Sequence, residues 1–360
     1  MKRTLLTALL AAAVLAAACT GPGAGPSGIA AALSSAAAAG TPLYGHQDDL
    51  MYGHSWNANL EENPALTRSD VKDVCGQYPA ILGLDLGGIE LGETHNLDGN
   101  DFDLMRRAAI AHHERGGIVT LSWHLRNPLT GGDAWDVSSD QVVASVLPGG
   151  AKHEEFLRWL DRAADWILSL KGADGEQIPV IWRPWHEHIG SWFWWGRDLC
   201  TAEQYNALWR MTWEHFTQTR GIRGLLWAVS ANFSEPPFEQ WLERYPGDAY
   251  VDILGLDCYA WGERDSFIRQ MRECLASLER TCDEHGKILA VTETGLEGLK
   301  DPQWWTGALS PALKDFPVSY VLTWRNASDK PGHYYAPFPA EPSAADFAAW
   351  IRQDQIRMIK

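Results

Sequence analysis

The chain has 360 residues, 46% of them hydrophobic and 21% charged, which is the composition of a globular protein with one large core or two modest ones. Its formal net charge of -16 argues against nucleic acid or an anionic membrane surface as partner, since both need clustered lysine and arginine. The 19 tryptophans are the unusual feature. Tryptophan fills cores, but its flat face also stacks on bases and sugar rings, and the acidic balance favours the neutral ligand.

In chain order, Lys2 and Arg3 precede an apolar run over 5–18 that is too short for a stable membrane span, and Cys19 follows in VLAAAC. This resembles a bacterial lipoprotein signal. Residues 1–19 are therefore read as a leader ending at a lipidated Cys19, which puts the protein in the cell envelope; the alternative is an ordinary signal peptide and a periplasmic or secreted protein. Residues 20–40 are mostly Gly, Ala, Ser and Pro and read as a tether with no core of its own. Residues 41–360 read as one domain. With Cys19 set aside, five of the six cysteines remain, an odd number that gives no disulfide framework, and no Cys-x-x-Cys pair suggests structural zinc.

Eight short apolar runs then recur, at 43–46, 80–86, 117–123, 178–185, 224–230, 251–259, 288–293 and 318–324. Near-continuous apolar runs are the pattern of buried parallel strands. Amphipathic segments lie between several of them. One runs from 101 to a stop at Gly116, one from 153 to Gly172, one from a Thr201 cap and one from 266 to Gly286; a last covers 343–360. In these, Trp159, Trp166, Trp209, Trp213 and Trp350 fall at core-like spacing, and His112 and His113 fall on a helix surface. The alternation predicts an α/β fold, a single (β/α)8 TIM barrel. An open doubly wound sheet fits less well, because no Gly-x-Gly-x-x-Gly turn follows the first strand.

A barrel of this kind carries its chemistry at the C-terminal ends of its strands. Those ends supply His46, Trp123, His124, His186, Glu187, Asp257, Tyr259, Glu293, Trp324 and Arg325. Glu187 and Glu293 end the fourth and seventh strands and face each other across the barrel. Paired carboxylates suit glycoside hydrolysis, in which one acid protonates the leaving oxygen and the other attacks the anomeric carbon. Glu187 sits among Trp185, Trp192 and Trp194, which would keep it protonated, and Glu293 sits between Thr292 and Thr294. Arg183 could serve either carboxylate. HEHIG at 186–190 is not the metalloprotease motif, because Gly190 stands at the second ligand position. A metal held by His124, His186 and His188 is the minor alternative, and no metal or cofactor is expected.

The stretch WRPWHEHIGSWFWWG at 182–196 resembles the signature of glycoside hydrolase family 26. YGHQDDLMYGHSW from 44, WH at 123–124, DCY at 257–259, TETG at 292–295 and TWRNA at 323–327 are similar to that family as well. The resemblance implies a TIM barrel and a retaining endo-β-1,4-mannanase acting on mannan, glucomannan or galactomannan. It implies Glu187 as acid/base and Glu293 as nucleophile. His124, His186, Trp192 and Tyr259 would line the sugar at the cleavage point, and Trp324 and Arg325 would hold the next sugar on the non-reducing side. His188 and Ile189 depart from the family, which often has Met or Asn and then Asn or Thr there. Alternatives are an exo-acting mannobiohydrolase, a β-1,3-xylanase or lichenase on the same scaffold, and a non-catalytic sugar-binding barrel. The loops over 87–101 and 126–141 decide between endo and exo action by closing or opening one end of the cleft. The expected partner is β-mannan or its oligosaccharides, with no nucleic acid, a membrane only through the lipid anchor, and a monomeric chain.

Overall fold

A computed structural model describes residues 26–233 and 238–360. The leader, Cys19 and residues 20–25 lie outside the described residues. Eight parallel strands close into a barrel: Leu43–Gln47, Ile81–Asp85, Ile118–Ser122, Val180–Arg183, Leu225–Asn232, Ile253–Tyr259, Ile288–Gly295 and Tyr320–Thr323. They pair in sequence order, and the first closes on the eighth, with His46 level with Thr323 on one side and Leu82 on the other. Each of the eight apolar runs is one of these strands, and the (β/α)8 barrel is the fold of this chain. The runs lack polar alternation because the helical layer covers one face and the packed barrel interior the other.

The main outer helices are Phe102–Glu114, His153–Leu168, Ala202–Glu214, Arg264–His285 and Ala344–Gln353. Their ends follow local chemistry. Asp101 accepts from the Leu104 amide, Thr201 and Gln204 form a reciprocal capping box, and Gly286 takes the left-handed φ of 64° that stops the long helix. The helix His153–Leu168 buries Phe156, Trp159, Leu160, Ala163, Ala164 and Ile167, one stripe at helical spacing.

Three expectations are corrected. Residues 26–39, read as part of a tether, form a helix, Pro26–Ala39. Its alanines favour helix, Pro26 opens it, and Ile29, Ala32, Leu33 and Ala36 repeat at a spacing that makes one buried face. Ile29 and Leu33 pack on Ile81, Ile118, Ile181, Leu226, Ile253 and Tyr320, which lie at the N-terminal ends of the strands, so the helix covers the bottom of the barrel. The last helix does not continue to the C-terminus. It stops at Gln353, and Met358–Ile359 pairs antiparallel with Tyr78–Pro79 beside the first strand. His112 and His113, expected on a helix surface, are buried. His112 packs against Gly117, where a Cβ would lie 2.2 Å from its Nε2, and burial pushes its imidazole down to about 3, so it is neutral. The five cysteines from Cys75 to Cys282 form no disulfide.

Candidate active site

The fourth strand ends at Arg183, and the backbone then takes a sharp course. Trp185 and Glu187 both adopt left-handed φ values, 51° and 54°. Such values cost of order 1–3 kcal/mol each for residues with side chains and persist only where the surroundings hold them. Here the surroundings are Trp194, Trp195, Tyr205 and the end of the fifth strand. The Trp185 ring is fully buried, 5.5 Å from Trp194 and 5.6 Å from Trp195. The Trp195 Nε1 donates to the His186 carbonyl at 2.8 Å, and Tyr205 donates to the Trp185 carbonyl at 2.9 Å. The Glu187 amide donates to the Ser230 carbonyl on the fifth strand, and Asn232 accepts from the Gly190 amide at 2.8 Å. Trp182, Trp185, Trp194 and Trp195 are core, whereas Trp192 is exposed and donates to the Glu187 carboxylate at 2.6 Å.

The seventh strand carries a bulge. Val291 pairs with Leu256 but Glu293 pairs with Asp257, so Thr292 is an extra residue. A bulge re-aims the side chains that follow it. Thr292 donates to Asp257 at 2.6 Å. Glu293 accepts from Arg183 at one oxygen and from the Tyr259 hydroxyl, at 2.7 Å, at the other. Arg183 also donates to Asp257 and to Ser230. One buried guanidinium thus serves two carboxylates, and the partner that the sequence left open for Arg183 is Glu293, with Asp257 beside it.

Glu187, Glu293, Trp192, Tyr259, His124 and Trp324 meet in one cavity of about 520 Å³ at the C-terminal mouth of the barrel, with Trp135, Phe193, Phe233, Trp261 and Tyr335 completing its aromatic walls. The electrostatics of the two glutamates differ. Burial holds the Glu187 carboxyl well above the usual carboxylate range, and repulsion from Glu293 and Asp257 adds to the rise against the Trp192 hydrogen bond. Glu293 faces a cation and a phenol instead. Burial and the nearby Glu293 raise Asp257 to about 7, although Arg183 pulls the other way.

His124 lines the cavity, yet both of its nitrogens are engaged by protein. Its Nδ1 meets Asp85 at 2.7 Å and its Nε2 meets His186 Nε2 at 3.0 Å. Burial opposes charge on His124, but the Asp85 carboxylate carries it above the usual imidazole range; Asp85, for all its burial, is held down to about 2 by the same pair. His186 is pushed well below the usual range by burial and by the Arg183 charge. With both nitrogens taken, a sugar can meet His124 through its ring.

The remaining sequence-predicted residues lie elsewhere. His186 is buried beneath His124 and is not on the cavity wall. Arg325 lies in a neighbouring cavity of about 370 Å³, where it donates to the Tyr52 hydroxyl at 3.0 Å and pairs with Asp98 at 2.9 Å. His46 is buried against Asp49, and His188 stacks on Tyr205 at 4.7 Å, apart from the pair of His124 and His186. Sequence reasoning missed Asp85, Trp135 and Trp261. Trp261 had a signal: Asp257, Tyr259 and Trp261 continue the two-residue period of the sixth strand toward the mouth.

A parallel barrel that gathers two glutamates of unlike environment in one aromatic cavity at its C-terminal mouth has the architecture of a glycoside hydrolase. Residues 43–281 match the profile of Glycosyl hydrolase family 26, and the chain belongs to that family. A solved GH26 beta-mannanase from Bacteroides ovatus is 48% identical, covers 92% of this chain and 94% of its own, and superposes with a TM-score of 0.87. An endo-beta-1,4-mannanase from Cellulomonas fimi is 32% identical over 91% of this chain and 75% of its own, with a TM-score of 0.80. A mannan endo-1,4-beta-mannosidase of Bifidobacterium adolescentis is 29% identical over 84% of this chain. The chain spans 32% of that relative's length.

Proposed function

We propose that this chain is a retaining endo-β-1,4-mannanase acting on mannan, glucomannan or galactomannan. The observation that carries the reading is the contrast between the two carboxylates of one cavity. Burial favours the protonated form of Glu187, while both oxygens of Glu293 accept hydrogen bonds, from Arg183 and Tyr259. In the first step Glu187 gives its proton to the glycosidic oxygen and Glu293 attacks the anomeric carbon from the opposite face. The leaving sugar departs and a glycosyl ester remains on Glu293. Glu187, now a carboxylate, takes a proton from water as that water displaces Glu293. The fixed donors of Arg183 need no rearrangement during either step. Mannan as substrate and internal cleavage are supported by the names of the relatives above. Trp324 and, in the adjoining cavity, Arg325 then form the non-reducing side.

The test is proton NMR of a mannotetraose digest followed from the first minute, beside the product profile on galactomannan. The β anomer should form first and mutarotate to α, and galactomannan should yield mixed oligosaccharides. First formation of the α anomer removes the double displacement, release of one short product only removes internal cleavage, and binding without cleavage leaves a sugar-binding protein.

We further propose that the protein is exported and lipid-anchored at Cys19, supported by the basic, apolar and VLAAAC pattern of residues 2–19. Expressed with its leader in a bacterium it should partition with membranes, and Cys19→Ser should release it or block its processing. A fully soluble wild type with an unmodified N-terminus downstream of Cys19 would remove the anchor.

A further inference from the structure

We propose that Arg244, which does not line the catalytic cavity, is a positioning residue for Glu187, and that it acts by locking the turn that aims this carboxyl at the glycosidic oxygen. This rests on the reading of Glu187 as the acid. Arg244 is buried and ends the short helix Phe238–Arg244, which follows the fifth strand. Its Nη2 donates to the Trp195 carbonyl at 2.6 Å and to the Cys200 Sγ at 3.1 Å, and its Nη1 donates to the Cys200 carbonyl at 3.0 Å. Its guanidinium carbon lies over the Tyr205 ring, 4.5 Å from the centroid, a cation on an aromatic face.

The residues that Arg244 grips are those that hold the acid's turn. The Trp195 indole donates to the His186 carbonyl and the Tyr205 hydroxyl to the Trp185 carbonyl, beside the left-handed residues Trp185 and Glu187. His188 stacks on the same Tyr205 ring at 4.7 Å. Burial and the charges of Arg244 and Arg197 push His188 well below the usual imidazole range, so it packs as a neutral ring. The carbonyls of 185 and 186 and the ring of 188 thus bracket Glu187, and Arg244 fixes both residues that hold them. The cost of this arrangement points beyond packing. A cation buried among carbonyls gives up its water, and an apolar side chain of similar length would fill the space without that loss. Its Nε has no partner among the described residues. What the guanidinium adds is direction, because its planar fork of fixed donors holds two carbonyls in one geometry. A general acid must stay within hydrogen-bond reach of the oxygen it protonates, so a loosened turn is felt first in proton transfer.

The experiment compares kcat/KM of the full chain on mannotetraose, whose leaving sugar needs a proton, and on dinitrophenyl β-mannobioside, whose leaving group departs without one. In Arg244→Met the first should fall by about 10²-fold while the second stays close to wild type. The alkaline limb of the mannotetraose profile should also move to lower pH. A loosened Glu187 carboxyl gains water and loses part of its elevation, while Glu293, Asp257, Arg183 and Tyr259, the titratable and charged groups around it, are unchanged. Arg244→Lys keeps the charge without the fork and should recover part of the loss. Tyr205→Phe keeps the ring without its donor to the Trp185 carbonyl; it should show the same split in smaller measure, and it carries the test if Arg244→Met does not fold. Equal losses on the two substrates, or none, would overturn the positioning role while leaving hydrolysis standing. Glu187→Ala is the control: equal losses on the two substrates in that variant would instead overturn Glu187 as the acid, and its positioning with it.

Discussion

The two ends of the barrel are built on opposite terms. At the bottom, Ile29 and Leu33 of the N-terminal helix meet Tyr320 and isoleucines and leucines at the strand starts in an apolar cluster. At the mouth, Arg183, Asp257, Glu293, Asp85 and His124 are all buried, and Trp185 and Glu187 hold left-handed backbone. Burying ions and straining backbone both cost stability. The comparison teaches where this chain places its stability and where it places its reactivity: apolar closure below, pre-aimed charge above.

The largest effect should come from the mouth. Glu293→Ala should lower turnover on mannan by on the order of 10⁴-fold or more while the protein still binds mannan, read by steady-state kinetics and affinity electrophoresis. A variant keeping a tenth of wild-type turnover would remove Glu293 as nucleophile. Next is Arg183→Met, which leaves Asp257 and Glu293 buried without their shared cation. Urea unfolding should show a loss of about 3–5 kcal/mol. An unchanged midpoint would mean that the carboxylates take up protons or water at little cost, and the contrast between the two ends would weaken.

The bottom should answer differently. Leu33→Ala removes a fully buried side chain and should cost about 2–5 kcal/mol of stability, with kcat per folded molecule unaltered. A fall in kcat without a fall in stability would mean that the bottom helix reaches the chemistry. The smallest effect is a titration. Glu187 must be protonated to act as acid, so activity falls as pH rises through its elevated pKa. The Trp192 hydrogen bond favours the ionised form. Trp192→Phe should therefore move the alkaline limb of kcat/KM to higher pH. A shift to lower pH would show that the indole acts mainly by some other contact.

The same contrast explains what was legible in the sequence. The eight strands were, because buried parallel strands are continuous apolar runs bounded by turns. Glu187 and Glu293 were, because strand ends are where a barrel concentrates polar side chains. The bottom helix was not: alanine-rich sequence reads as low complexity, and its four buried positions match helical spacing only once something is known to lie beneath them. Arg183 carried no mark of its partner, since the bulge at Thr292 that turns Glu293 toward it arises from pairing between strands. His186 looked like a cavity residue because it precedes Glu187, yet the left-handed backbone on either side turns it under His124. His112 was expected on a helix surface, but its ring lies against Gly117, a contact between the helix end and the next strand that the sequence does not mark.

Chemical rescue tests the division of labour between the two glutamates most directly. With an aryl β-mannobioside carrying a good leaving group, Glu187→Ala can still form the glycosyl ester but has no base to activate water. Azide needs no base. It should raise the turnover of Glu187→Ala and give a β-mannobiosyl azide, the configuration kept by two inversions, whereas Glu293→Ala should give at most the α azide by a single displacement. A β azide from Glu293→Ala, or rescue of neither variant, would contradict the account.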